Sequence, residues 1–170
     1  MTYPVPAVGT RLTADFLTSM LEISVRKAGS TSRASTTVTT ADPELVLTVE
    51  ANAIYSFVCG FWFTALTGAS SGGISVTMTG PVGATGDFAI SGKDTTTSVG
   101  NNNDQQFYAA LASNFNLGSI VTNPNGTIMV GTVAIGATSG SLTFTWAQRT
   151  SSATATVLLS GSYMQIKRIG

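Results

Sequence analysis

The chain has 170 residues and a mass of 17.4 kDa, enough for one well-buried core but not two. Eight basic and eight acidic residues give no net charge, and the cations are scattered from Arg11 to Arg168 without a cluster, which argues against a nucleic-acid partner. The absence of histidine removes Ser-His-Asp and Cys-His catalysis and the usual imidazole-based metal sites, so no catalytic residue, metal or cofactor is expected.

Met1 to Gly9 holds Pro4 and Pro6 and reads as an extended arm. It carries neither a cationic stretch nor an apolar one, so no secretory signal is expected. From Thr10 to Glu22, Leu12, Phe16 and Met20 recur every fourth residue beside Leu17 and Leu21, which predicts a short amphipathic helix. Thr13 is placed to cap it, and Asp15 lies in its first turn, where the helix dipole favours an anion. A helix this short needs a surface to dock on.

Beyond Glu22 the hydrophobic period changes to two. The chain carries 27 threonines and 19 serines, and a β-branched, hydroxyl-rich composition suits pleated strands and turns. Ile23 and Val25 open an extended run, and after the Ser/Thr-rich stretch from Ser30 to Thr40, Leu45, Leu47 and Val49 alternate with other residues. Ile54 to Ala65 is the strongest strand, with Tyr55, Phe57, Cys59, Phe61 and Phe63 on one face and Ile54, Val58 and Trp62 on the other. The apolar run from Ile54 to Leu66 is about thirteen residues, short of the roughly 20 that a membrane helix needs, so no membrane partner is expected.

Further strands are expected at Ile74 to Met78, Phe88 to Ser91, Ile128 to Ile135, Leu142 to Trp146, Thr154 to Leu159 and Ser162 to Ile169. Asn123-Pro124-Asn125-Gly126 reads as a turn, and Asp104 to Phe115 reads as irregular because its apolar spacing fits neither period cleanly. The total is about eight to ten short strands, the pattern of an antiparallel sandwich. Residues 1–22 form one segment and 23–170 one β-domain.

Several motifs reduce to structural readings. Gly68-Ala69-Ser70-Ser71-Gly72 matches a nucleophile elbow, but without histidine it reads as a turn. Gly86 to Lys93 misses the phosphate-loop spacing by one residue, and Asn101 to Asp104 lacks the acidic ligands of a calcium loop. Asn125-Gly126-Thr127 matches a glycosylation sequon and reads as part of the turn. Asp42, Glu44 and Glu50 read as solvated strand edges, and Cys59 as a buried hydrophobe. Two interaction signals remain. Val58 and Trp62 on the second face of the strongest strand point to a subunit interface, and the arm and helix, with Tyr3, Pro4, Leu12, Phe16, Leu17, Met20 and Leu21, point to docking.

The order of Leu12-Thr13-Ala14, Val25-Arg26-Lys27, Thr31-Ser32-Arg33, Asp42-Pro43-Glu44-Leu45 and Ala53-Ile54-Tyr55 resembles small virion proteins of tailed actinobacterial phages: head decoration, head fibre and minor tail proteins. Gly80-Pro81, Trp146-Ala147-Gln148 and Gly161 to Ile166 continue it, and the resemblance covers most of the chain, from Leu12 to Ile169. The resemblance implies an all-β fold, an antiparallel jelly-roll sandwich similar to tumour-necrosis-factor and complement C1q head domains, associated as a homotrimer. It also implies a non-enzymatic capsid decoration protein, assembled in the host cytoplasm and anchored on the major capsid protein by its N-terminal segment. The alternative is a minor tail or tail-tip protein that contacts tail proteins or host cell-wall glycan.

Overall fold

The computed structural model describes residues 8–9, 11, 13, 21–65, 72–93, 104–119 and 124–170, with backbone alone for 104–107. Alternating apolar residues generate twelve strands in these segments. They are β1 (Ile23–Arg26), β2 (Thr31–Arg33), β3 (Thr40–Val49), β4 (Ile54–Thr64), β5 (Ile74–Thr79) and β6 (Thr85–Lys93). The second half contributes β7 (Asp104–Ala110), β8 (Phe115–Leu117), β9 (Asn125–Ala134), β10 (Gly140–Gln148), β11 (Thr156–Leu158) and β12 (Tyr163–Arg168).

All pairings are antiparallel and build two sheets. The larger runs β1-β12-β4-β9-β6-β7, with β2 and β11 attached beside β4, and the smaller runs β3-β10-β5-β8. Setting aside the β6-β7 hairpin and the β2-β11 pair leaves four strands in each sheet, ordered β1-β12-β4-β9 and β3-β10-β5-β8. That interleaving is a jelly roll, the expected fold class. The hairpin widens the large sheet beyond β9.

The core is what the period-two pattern of β4 requires. Tyr55, Phe57, Cys59, Phe61 and Phe63 are buried, and they meet Leu45, Leu47, Val76, Met78, Leu142, Phe144 and Trp146 from the small sheet. Phe61 and Phe144 pack across the sandwich with ring centroids 4.9 Å apart. Each such side chain contributes roughly 1.5–3 kcal/mol by leaving water. Burial pushes the Cys59 thiol well above its ordinary pKa, consistent with its reading as an inert hydrophobe. On the strand beside β4, Gly131 has no room for a side chain, because a β-carbon there would collide with the Asp87 carbonyl and the Phe57 ring.

Three expectations are corrected. Asn125 and Gly126 form no hairpin turn; they lie inside β9, paired with Phe63 and Trp62 of β4. The buried Asn125 amide donates to the Phe63 carbonyl at 3.3 Å and to the Ser119 hydroxyl at 3.1 Å, so the sequon forms the first residues of a strand. Within the Asp104 to Phe115 stretch, Asp104–Ala110 is a regular strand, because β6 provides a pairing edge along the whole of β7, and only the turn at 111–114 is irregular. Asp42 is fully buried rather than a solvated edge residue. The expected N-terminal helix falls mainly outside the described residues, and Leu21 and Glu22, its last two positions, are not helical.

Candidate interaction surface

Because β4 is buried on one face only, Ile54, Ser56, Val58, Gly60 and Trp62 all point away from the core. Register fixes what surrounds them. On β9, Val130 is opposite Val58, Ile128 opposite Gly60, and Gly126 opposite Trp62. One strand further, Ala89 of β6 lies beside Val130, and Tyr108 of β7 lies beside Ala89. On the other side, Gln165 and Tyr163 of β12 pair with Val58 and Gly60. Val58 and Trp62 therefore belong to a continuous outer face spanning the large sheet.

That face is apolar and exposed. Trp62 leaves 39% of its surface in solvent and Tyr108 74%, and Ile54, Ile128 and Val130 are exposed with them. A shallow hollow of about 180 Å³ opens over Ala89, Ser91, Ile128 and Val130. Towards the Ile54 end of β4, a more open groove of about 490 Å³ continues past Ile54, Thr85, Asp87, Thr132 and Ala134. Single exposed apolar residues are ordinary on protein surfaces, whereas a contiguous set across neighbouring strands marks a contact site.

Two glycines shape this surface. Gly60 lies under the Tyr163 ring, where a β-carbon would come 2.8 Å from Cζ, and Gly126 lies under the Trp62 indole. Their bare backbone lets both rings lie down along the sheet, and an aromatic ring covering a cross-strand glycine restores the packing that the glycine lacks. The rings themselves are 6.1 Å apart and tilted by 40°. The result is a broad aromatic floor beside the aliphatic pair Ile128 and Val130.

Charge enters at the margins. Lys167 sits opposite Ser56 and Asp87 opposite Thr132, to one side of the Val58 to Val130 row. Tyr108 is hydrogen-bonded to Asp87, and that bond, with some burial and the carboxylate's charge, raises its phenol above the ordinary value.

The sequence reading named Val58 and Trp62 on this face and did not name Ile128, Val130, Tyr108 and Tyr163. The alternation of β9 carries the signal for the first two, since Gly126, Ile128 and Val130 share one face. Of the expected docking residues, Leu21 is exposed, while Tyr3, Pro4, Leu12, Phe16, Leu17 and Met20 lie outside the described residues.

A second cluster lies where the edges of the two sheets meet. Lys27 and Asp42 are both fully buried and form an ion pair at 2.9 Å. Lys27 also donates to Glu44 at 2.9 Å and to the Thr31 hydroxyl at 2.7 Å, and the Trp146 indole donates to Asp42 at 3.2 Å. The Lys27 hydrogen bond, followed by that from the Ala28 amide, holds the Glu44 carboxyl below its usual range. Arg33 stacks over Trp146 at 4.1 Å and donates to the Thr40, Ala41 and Trp146 carbonyls.

Among the described residues no group of three or more His, Cys, Asp and Glu is placed to hold a metal ion, and no helix is long and apolar enough to cross a membrane. No family model matches the chain, and no curated protein matches it. Solved structures with a partial likeness are those of infectious bursal disease virus and its VP2 subviral particle. The Gt strain is 11% identical over 88% of this chain and 38% of its own, with a TM-score of 0.21. The Gx strain is 12% identical over 87% and 41%, with a TM-score of 0.25. The VP2 subviral particle is 13% identical over 88% and 37%, with a TM-score of 0.20. The chain spans about two-fifths of the length of these structures.

Proposed function

We propose that this chain is a non-enzymatic structural component of a virion, a jelly-roll domain that works by packing against copies of itself and against a larger shell. The observation that carries this reading is the outer face of the large sheet. Trp62, Ile128, Val130, Tyr108 and Ile54 are exposed together on it, with charge held to the margin. Left in water, such a face is an association liability; covered by a symmetry mate, its burial drives assembly. The chain's low charge and zero net charge act in the same direction, since little electrostatic repulsion opposes contact.

In this reading the assembly is a homotrimer with Val58 and Trp62 in the subunit contact. The N-terminal segment, through Tyr3, Pro4, Leu12, Phe16, Leu17, Met20 and Leu21, docks the trimer on the major capsid protein as a decoration. Support for the head location is the sequence resemblance to phage head decoration and head fibre proteins. The test is quantitative mass spectrometry of purified particles, with a chain lacking residues 1–22 added back in parallel. Copies in proportion to capsomers, and loss of particle binding by the truncated chain while it still self-associates, are the expected results. A few copies per particle would move the protein to the tail, and absence from particles would reject the proposal.

A further inference from the structure

The Lys27, Asp42 and Glu44 cluster sets a primary amine in direct contact with two carboxylates, one of them fully buried. Lys27 follows β1, at the edge of the large sheet, and its backbone is pinned by hydrogen bonds to Ser162 and Gly161. Asp42 lies in β3, at the edge of the small sheet, where the register with β10 is interrupted between Thr143 and Thr145. The Lys27 Nζ is 2.9 Å from one Asp42 carboxylate oxygen and 3.1 Å from the other, which sets it beside the carbon between them.

Each remaining group has a place in that chemistry. The backbone N–H groups of Glu44 and Leu45 both donate to Asp42 Oδ1, at 3.0 and 3.3 Å, a two-donor arrangement suited to negative charge developing on that oxygen. The Trp146 indole holds Oδ2. Glu44 Oε2, 2.9 Å from Nζ, is a base in contact with the nucleophile. Both reacting side chains are fully buried, so water neither dilutes the contact nor supports the reverse hydrolysis. Pro43 follows Asp42, and because proline has no N–H, the carboxyl cannot cyclise onto the next amide in the competing reaction.

We propose that Lys27 and Asp42 condense to an intramolecular amide (isopeptide) bond, with Glu44 carrying the proton. A proton passes from the Lys27 ammonium to Asp42 Oδ2, leaving an amine and a carboxylic acid. The nitrogen lone pair then adds to Cγ, and the carbonyl electron pair moves onto Oδ1, held by the two backbone N–H groups. Glu44 takes a proton from the nitrogen and returns it to the hydroxyl at Oδ2. The Cγ–Oδ2 bond breaks, one water leaves, and the carbonyl re-forms. The ammonium gives up two protons, both found in the water; Glu44 ends as the carboxylate it began as, and nothing is oxidised or reduced. Two buried charges are replaced by one neutral amide, which removes their desolvation penalty. The bond stitches together the edges of the two sheets, a suitable reinforcement for a domain under mechanical or particle-assembly load.

Intact-mass spectrometry of the full chain, purified and then unfolded, tests this directly. The expected mass is one water below that of the sequence, and digestion should yield a branched peptide joining the Lys27 and Asp42 segments. Lys27→Met should restore the full mass, and Glu44→Gln should slow closure by at least tenfold. A wild-type chain that keeps its full mass after prolonged incubation at neutral pH, or a water loss confined to linear peptides, overturns the proposal even if neither variant folds. Closure of Glu44→Gln at the wild-type rate would remove Glu44 from its assigned role.

Discussion

Trp62→Ala tests the outer face most sharply. The indole leaves 39% of its surface in solvent. With a full side-chain area of about 250 Å², that exposed share is about 100 Å². Covering it in a subunit contact at about 25 cal/mol per Å² is worth about 2.5 kcal/mol per copy. Three copies bring about 7–8 kcal/mol to a trimer, or roughly five powers of ten in its association constant. The already packed part of the ring, over Gly126 and beside Tyr163, contributes to the fold as well, so thermal stability falls too. Ile128→Ser on the neighbouring strand separates the two effects, since it removes exposed apolar surface without uncovering either glycine. Sedimentation velocity over a range of concentrations is the assay. Both variants should sediment as monomers where the wild type is associated, with circular dichroism still that of a β protein. Unchanged sedimentation for both would refute the assignment of this face.

Three further outcomes follow from the packing and the charges. Compared with wild-type chain in which the Lys27–Asp42 amide has not yet formed, Asp42→Ala leaves Lys27 buried beside a single partly exposed carboxylate and should destabilise the fold by about 3–5 kcal/mol in denaturant titration; a loss under 1 kcal/mol would contradict the buried pair. Gly131→Ala forces a methyl group against the Asp87 carbonyl and the Phe57 ring and should cost about 1–3 kcal/mol in the same assay. Tyr108 ionises above its ordinary 10.0, so the folded state holds that proton more tightly than the unfolded chain. The stability this brings is complete below pH 10.0 and is lost as pH rises through the higher folded value. Asp87→Asn should bring one tyrosine's ionisation, followed by phenolate absorbance, back towards 10.0, and an unmoved titration would exclude the contact.

What was legible in the sequence was local. The two faces of β4 follow from strict alternation, and they place both the core aromatics and the Val58 and Trp62 pair correctly inside and outside. Misreadings arose where a distant partner decides. Asn125-Gly126 has the composition of a hairpin turn, yet its glycine serves a ring 64 positions earlier, that of Trp62 on the adjoining strand. Asp42 and Glu44 look like solvated edge residues until Lys27, 15 positions before Asp42 and at the edge of the other sheet, folds against them. β7 is visible only through its partner, because Asp104 to Ala110 becomes a strand by pairing with β6. Tertiary context overrides propensity most readily in strands, whose partners are remote in sequence.

The central claim is that this domain is built into a particle through its outer sheet face. A density map of the whole particle, at a resolution that separates strands, tests it most directly. The expected result is jelly-roll domains clustered about a threefold axis, with Trp62, Ile128 and Val130 covered by neighbouring copies and the N-terminal segment reaching the shell. A particle without this chain, or one carrying it as isolated domains with that face turned to solvent, would contradict it.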